Sequence, residues 1–104
     1  MTPPQDATRI FSALGHAARL DLFRLLVRAG PEGLNIGEIG REIGLPASTL
    51  AHHLGMLVEA GLVTQERRGR EVMNRAQLAP LRGVLGFLDA ECCAGLARGH
   101  ADAA

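Results

Sequence analysis

Cys92 and Cys93 stand side by side in the stretch Asp89–His100, DAECCAGLARGH, and the chain holds no other cysteine. Adjacent thiols have three uses: two small apolar residues in a helix seam, a redox pair, or two soft ligands for a metal or metalloid. A thiol enzyme would need positive charge or a helix N-terminus beside its cysteine. Here Asp89 and Glu91 come just before the pair, so no catalytic residue is assigned and the chain is not read as an enzyme. A redox pair is awkward in a regular helix, because a disulfide between neighbours closes a strained ring. Ligation fits better: trivalent arsenic, antimony, mercury and cadmium prefer thiolate. Linear two-coordinate mercury suits neighbouring sulfurs poorly.

Positive charge is the second chemistry. The chain of 104 residues has no net formal charge, with 11 basic and 11 acidic side chains, and every basic residue is Arg. Arg grips phosphate bidentately and stays charged under all conditions. A high-GC coding bias gives the same composition, so distribution carries the argument. The stretch ERRGREVMNR sets Arg67, Arg68, Arg70 and Arg75 against Glu66 and Glu71 alone. Positive charge is local, as at a nucleic-acid contact.

These groups must be positioned by one small domain spanning 1–104. Hydrophobic residues make up 47% of the chain, which argues against intrinsic disorder. No apolar run approaches the roughly 20 residues of a membrane span, and MTPPQDATRI lacks the pattern of a secretory signal. A cytoplasmic protein without membrane contact is expected, with its thiols reduced.

Asp6 is a candidate N-cap for a first short helix bearing Ile10, Phe11 and Leu14. HAARLDLFRLLVRAG reads as a second, with Leu20, Phe23, Leu26 and Val27 on one face. Asn35 and Glu38 form a capping-box pattern ahead of the stripe Ile36, Ile39 and Ile43. After Gly44 and Pro46, Leu50, Leu54, Leu57 and Val58 line a further helix. Its outward side shows Ser48, Thr49, Ala51, His52 and Gly55. His53 lies about 100° round from His52, towards the Leu50/Leu54 side, as a half-buried structural histidine. Two amphipathic helices joined by a few residues, the second with a small polar face, have the layout of a helix-turn-helix. Extended segments Leu62–Glu66 and Glu71–Ala76 around Gly69 make an Arg-bearing hairpin, a wing. Leu78, Leu81, Leu85, Leu88 and Cys92 then recur at heptad spacing, which predicts a pairing helix from 78 to about 98.

In this order the chain resembles the ArsR/SmtB family of dimeric winged-helix repressors. ALGHAARLDLFRLL looks like the family's second helix, IGREIGLPASTLAHHLGMLVEAGLV like its helix-turn-helix, and RRGREVMNRA sits where its wing belongs. The resemblance implies a mainly α, winged helix-turn-helix fold of about five helices with a two-stranded wing. It also implies a homodimer through the first and last helices, bound to double-stranded operator DNA. The helix-turn-helix spans about 35–60, the wing about 62–76 and the dimerisation and sensor helix about 78–98. Ser48, Thr49 and His52 would meet the major groove, and Arg67, Arg68 and Arg70 the flanking backbone or minor groove. Small spacers and a solvated turn are the plainer reading of the same residues.

Family members release DNA when an inducer binds, often a metal or metalloid. Some sense arsenic through Cys-Val-Cys before the recognition helix, where this chain reads NIGEIGREIGL without cysteine. Others use Asp and His on the last helix, of which Asp89 and His100 remain. A third branch uses cysteines in the C-terminal helix, an adjacent pair with a third nearby; here the pair stands without the third. Cys92 and Cys93 are therefore the candidate ligands for a trivalent arsenic species as inducer, arsenite or a methylated or organic arsenical. A substituted arsenical arrives with one position filled and needs only two thiolates. The alternatives are the same repressor answering to thiol oxidation or another soft metal, and a protein-interaction module without DNA.

Overall fold

Asn35, Gly44 and Pro46 bound their helices as expected in the computed structural model, which describes residues 6–96. The order is α1 (Ala7–Leu14), α2 (Ala17–Ala29), α3 (Ile36–Ile43), α4 (Ala47–Glu59), β1 (Val63–Arg68), β2 (Glu71–Ala76) and α5 (Ala79–Ala90). His100 lies outside the described residues. No helix among the described residues is long and apolar enough to cross a membrane.

Local chemistry explains the boundaries. Asn35 Oδ1 accepts the Glu38 N–H at 2.8 Å while the Glu38 carboxylate accepts the Asn35 N–H at 2.9 Å, a closed capping box. Gly44, at φ 80°, ends α3 in the left-handed region. His16 caps α2, its Nδ1 accepting the Ala18 N–H at 3.2 Å. Asp6 occupies the N-cap position of α1 but makes no side-chain cap bond.

One core lies between α1, α2, α3, α4, the base of the wing and α5. Ile10, Leu22, Leu26, Ile39, Leu50, Leu54, Leu57, Leu62, Val63 and Val84 are buried in it, each contributing about 1.5–3 kcal/mol over an exposed position. Leu20, expected inward, is instead 43% exposed. It lies two residues, about 200° of helix rotation, from the buried Leu22. Ile36 is likewise turned out at the start of α3.

The larger correction concerns α5. Heptad spacing predicted helix to about residue 98, yet α5 stops at Ala90 and Glu91–Cys93 form a turn. Val84 is its buried contact, while Leu85 and Leu88 are about half exposed. Among the described residues Leu85 and Leu88 stay uncovered, so no burial rewards another turn, and short helices need such packing. Asp89 and Glu91 also place negative charge at the negative end of the helix dipole, and no basic residue occupies the last turn. Cys92 therefore sits beyond the seam and not on it.

The antiparallel wing pairs Val63 with Ala76 and Arg68 with Glu71. It is tied to the helix-turn-helix by Asn74, which is buried and exchanges backbone hydrogen bonds with Leu34 at 2.8 and 3.0 Å. Its Nδ2 donates to the Leu34 and Val72 carbonyls and its Oδ1 accepts from Gln65 Nε2. Asn35 Nδ2 adds a bond to Glu71 Oε1 at 2.8 Å. This junction needs Gly33, whose φ is 73° and whose Cα hydrogen faces the Asn74 carbonyl.

Gly33→Ala should cost clearly more than Gly44→Ala. Both strain a positive φ, by about 1–2 kcal/mol, but only at Gly33 would the new methyl strike backbone. Thermal unfolding of the two variants checks this, and equal losses would contradict the tethering role of the Leu34–Asn74 bridge.

Candidate nucleic-acid interface and cysteine turn

Burial of Leu50, Leu54 and Leu57 fixes the rotation of α4 about its own axis, and that decides what it shows outward. Ser48, Ala51, His52 and Gly55 are exposed and Thr49 is half-buried. Ser48 and His52 thus share an open face, with Thr49 at its edge. Between this helix and the wing runs a groove of about 450 Å³, lined in part by Ala51, Gly55, Arg70 and Val72.

Strand alternation sorts the arginines. Arg67 pairs with Val72 and lies on the same side of the hairpin as Gln65 and Asn74, the side that meets α4. Arg70 lines the groove from the turn. Arg68 points to the other side, where its guanidinium binds Glu66 at 3.2 Å and Glu32 at 3.3 Å. The bond to Glu32, and then the charge of Glu66, push its pKa above the ordinary guanidinium value. Arg75 also reaches Glu66. Among the described residues, Arg67 and Arg70 make no ion pair. Of the three wing arginines expected at a nucleic acid, two are therefore unengaged and one is tied to carboxylates.

His53 is 8% exposed, more deeply buried than its position beside His52 suggested. Its Nδ1 lies 3.4 Å from Arg19 Nη1, and Arg19 Nε donates to the Ala13 carbonyl at 2.8 Å. The His16 ring lies 4.9 Å from that of His53, centroid to centroid, and the His52 ring 5.7 Å. Burial, then the charges of His16, Arg19 and His52, lower the His53 pKa below the usual 6.5. Arg19 and His16 escaped sequence reasoning. The only local signal was a histidine placed to cap α2.

The cysteines occupy a turn closed by Cys92 N–H to the Asp89 carbonyl and Ala94 N–H to the Glu91 carbonyl, both 3.1 Å. Cys93 has φ 61°, the one non-glycine in the left-handed region among the described residues. Both thiols are exposed and their sulfurs lie 3.5 Å apart. Among the described residues no third His, Cys, Asp or Glu joins them in a metal-holding group. The objection that a regular helix forbids a bond between neighbouring sulfurs lapses, because the pair is not helical.

Helix-turn-helix, tethered wing and flanking helices together make a winged helix-turn-helix, a DNA-reading module. Residues 14–66 match the model of a family described as "Helix-turn-helix domain". The chain is 28% identical to the biofilm growth-associated repressor of Xylella fastidiosa over 86% of its own length and 75% of the relative's. A solved structure of an ArsR family transcriptional regulator superposes with a TM-score of 0.73 at 21% identity, covering 88% of this chain and 91% of that one. A second, described as a possible transcriptional regulator for arsenical resistance, gives 0.67 at 26% identity over 92% and 96%. The chain belongs to the helix-turn-helix domain family of DNA-binding transcriptional regulators, and its fold is that of the ArsR family regulator on which it superposes.

We expect Arg67→Ala and Arg70→Ala each to lower the slope of log affinity against log salt by about 1, as loss of one phosphate contact does. Arg68→Ala should lower it by much less. Fluorescence anisotropy with a duplex from upstream of the coding sequence checks the ranking, and an equal slope change for all three would refute it.

Proposed function

We propose that this protein is a homodimeric repressor that releases operator DNA when a trivalent arsenical binds Cys92 and Cys93. The observation that carries the inducer is the sulfur geometry. With bonds of about 2.3 Å, the zinc–thiolate length, sulfurs 3.5 Å apart subtend about 100° at a shared atom. That is the angle of a pyramidal centre, not of a linear one. Two donors without a third favour an arsenical that already carries a methyl or other organic group; arsenite would need one more ligand from solvent or the partner subunit.

Phe11, Leu85 and Leu88 are large apolar side chains left exposed on α1 and α5, and a second copy would cover them. Such a dimer brings two α4 helices to major grooves about 34–36 Å apart. Ser48, Thr49 and His52 then face base edges or phosphates, while Arg67 and Arg70 take the flanking backbone. Repression is the role named for the Xylella relative and is carried to this chain by the shared fold. The cysteine turn follows α5 directly, so ligation there bears on the dimer helix. Inducer binding shifts DNA affinity only through its differential affinity for the two dimer geometries.

A second reading is favoured by the same turn. Hydrogen peroxide would oxidise the two thiols to a disulfide, itself reduced to two waters, with no need to unwind helix. Another soft metal such as cadmium is a third inducer class. A protein-interaction module without DNA predicts no salt-dependent operator binding at all.

A gel shift on the chain's own upstream DNA separates these readings, comparing arsenite, a methylated trivalent arsenical, cadmium, zinc and peroxide. The methylated arsenical should release DNA at the lowest concentration, weakening binding about 5- to 150-fold. Cys92→Ser and Cys93→Ser should each stay bound. If either variant leaves DNA as readily as the parent, the arsenical assignment is wrong.

A further inference from the structure

His53 couples the recognition helix to the rest of the fold, and everything charged around it has the same sign. It sits on the inner face of α4 beside Leu50, Leu54 and Leu57, with Nδ1 turned to the Arg19 guanidinium of α2. A guanidinium only donates, so the bond exists only while Nδ1 keeps its lone pair. Arg19 is held in place from α1 by the Ala13 carbonyl. From the N-terminus of α2 the His16 ring packs against His53, and from α4 itself the His52 ring.

The other charged groups on neighbouring elements lie elsewhere, and on α2 itself Asp21 pairs with Arg24 at 3.7 Å. Arg9 of α1 and Glu59 of α4 line a hollow with Ser12, Ala13 and Met56. Glu38, Arg41 and Glu42 of α3 border another hollow, between α2 and α3, with Leu25 and Arg28. On β1, Glu66 binds Arg68 and Arg75. Among the described residues the charges acting on His53 are those of His16, Arg19 and His52, with no carboxylate among them. Protonation would place an Nδ1–H against the Arg19 guanidinium, donor against donor, in a part-buried contact.

We propose that His53 is a positioning residue for the recognition helix that works only as the neutral imidazole, so that operator binding is coupled to the loss of a proton. Protonated His53 pushes α4 away from α2, and Ser48, Thr49 and His52 lose their common alignment. This rests on the DNA-binding role of α4 and is independent of the cysteine turn and its inducer. The sign follows from the lowered pKa of His53. Above about pH 6.5 neither the seated nor the unseated helix takes up the proton, and the coupling is complete. Below it the unseated form is protonated first, and the seated form is progressively lost.

The test is operator affinity of the full chain between pH 8 and pH 5.5 at constant salt, for the parent, His53→Gln, His52→Gln and His16→Asn. Gln keeps an acceptor for Arg19 that does not titrate, and Asn keeps a cap for α2. A histidine of ordinary pKa, about 6.5, that must be neutral for binding costs at most about tenfold per chain by pH 5.5, and the parent should lose affinity towards that limit on acidification. His52→Gln and His16→Asn should lose as much, and His53→Gln less than about twofold. Should His53→Gln fold poorly, an NMR titration of the parent decides. The His53 ring should titrate below the free-histidine value, and the amides of Ser48–Leu54 should shift with the same midpoint. A parent whose affinity holds or rises at low pH, a His53→Gln variant with the parent's profile, or a His53 ring titrating at or above 6.5 overturns the proposal.

Discussion

The angular register of α4 is the constraint on which the rest depends. Leu50, Leu54 and Leu57 are almost wholly buried, and turning the helix by one residue, about 100°, would bring at least one of them into water. That costs more than any surface contact returns, so the face carrying Ser48 and His52 is fixed by what lies behind it. The polar strut Arg19–His53 refines the same register, because a hydrogen bond has a direction and apolar burial does not. The wing inherits this precision through Asn74 and Asn35, which join the hairpin to the start of α3.

Much of this was legible in the sequence. The capping box at Asn35 and Glu38, the leucine spacing of α4 and Gly69 in the hairpin are local signals, each read within a few residues. The inward bias of His53 also followed from a helical wheel. What was illegible is long-range. Nothing in the sequence joins Arg19 to His53, 34 positions apart, or assigns Arg68 rather than Arg67 to Glu32. Leu20 was misplaced because four apolar residues in one helix allow more than one stripe, and only the packing partners choose between them.

The end of α5 is the instructive miss. Heptad spacing continued through Cys92, and spacing reports what a helix would bury if it existed. Whether it exists depends on packing and on end charges, and here Leu88 is half exposed and Asp89 and Glu91 oppose the dipole. The outcome changes the chemistry of the cysteines. In a helix their side chains would diverge by about 100°; in the turn, with Cys93 in the left-handed region, the sulfurs approach to 3.5 Å and face solvent. A residue expected on the seam becomes half of an exposed pair of neighbouring thiols.

The outward face of α4 and the sulfur pair lie on different elements, the pair in the turn after α5, so their connection is the claim that most needs measurement. Native mass spectrometry of the operator complex during titration with a methylated trivalent arsenical counts both ligands on the same particle. Dimers carrying one arsenical on each chain should be found without DNA, while unloaded dimers keep it. Fully loaded dimers that still hold their duplex would show that occupancy of the sulfurs does not govern DNA binding.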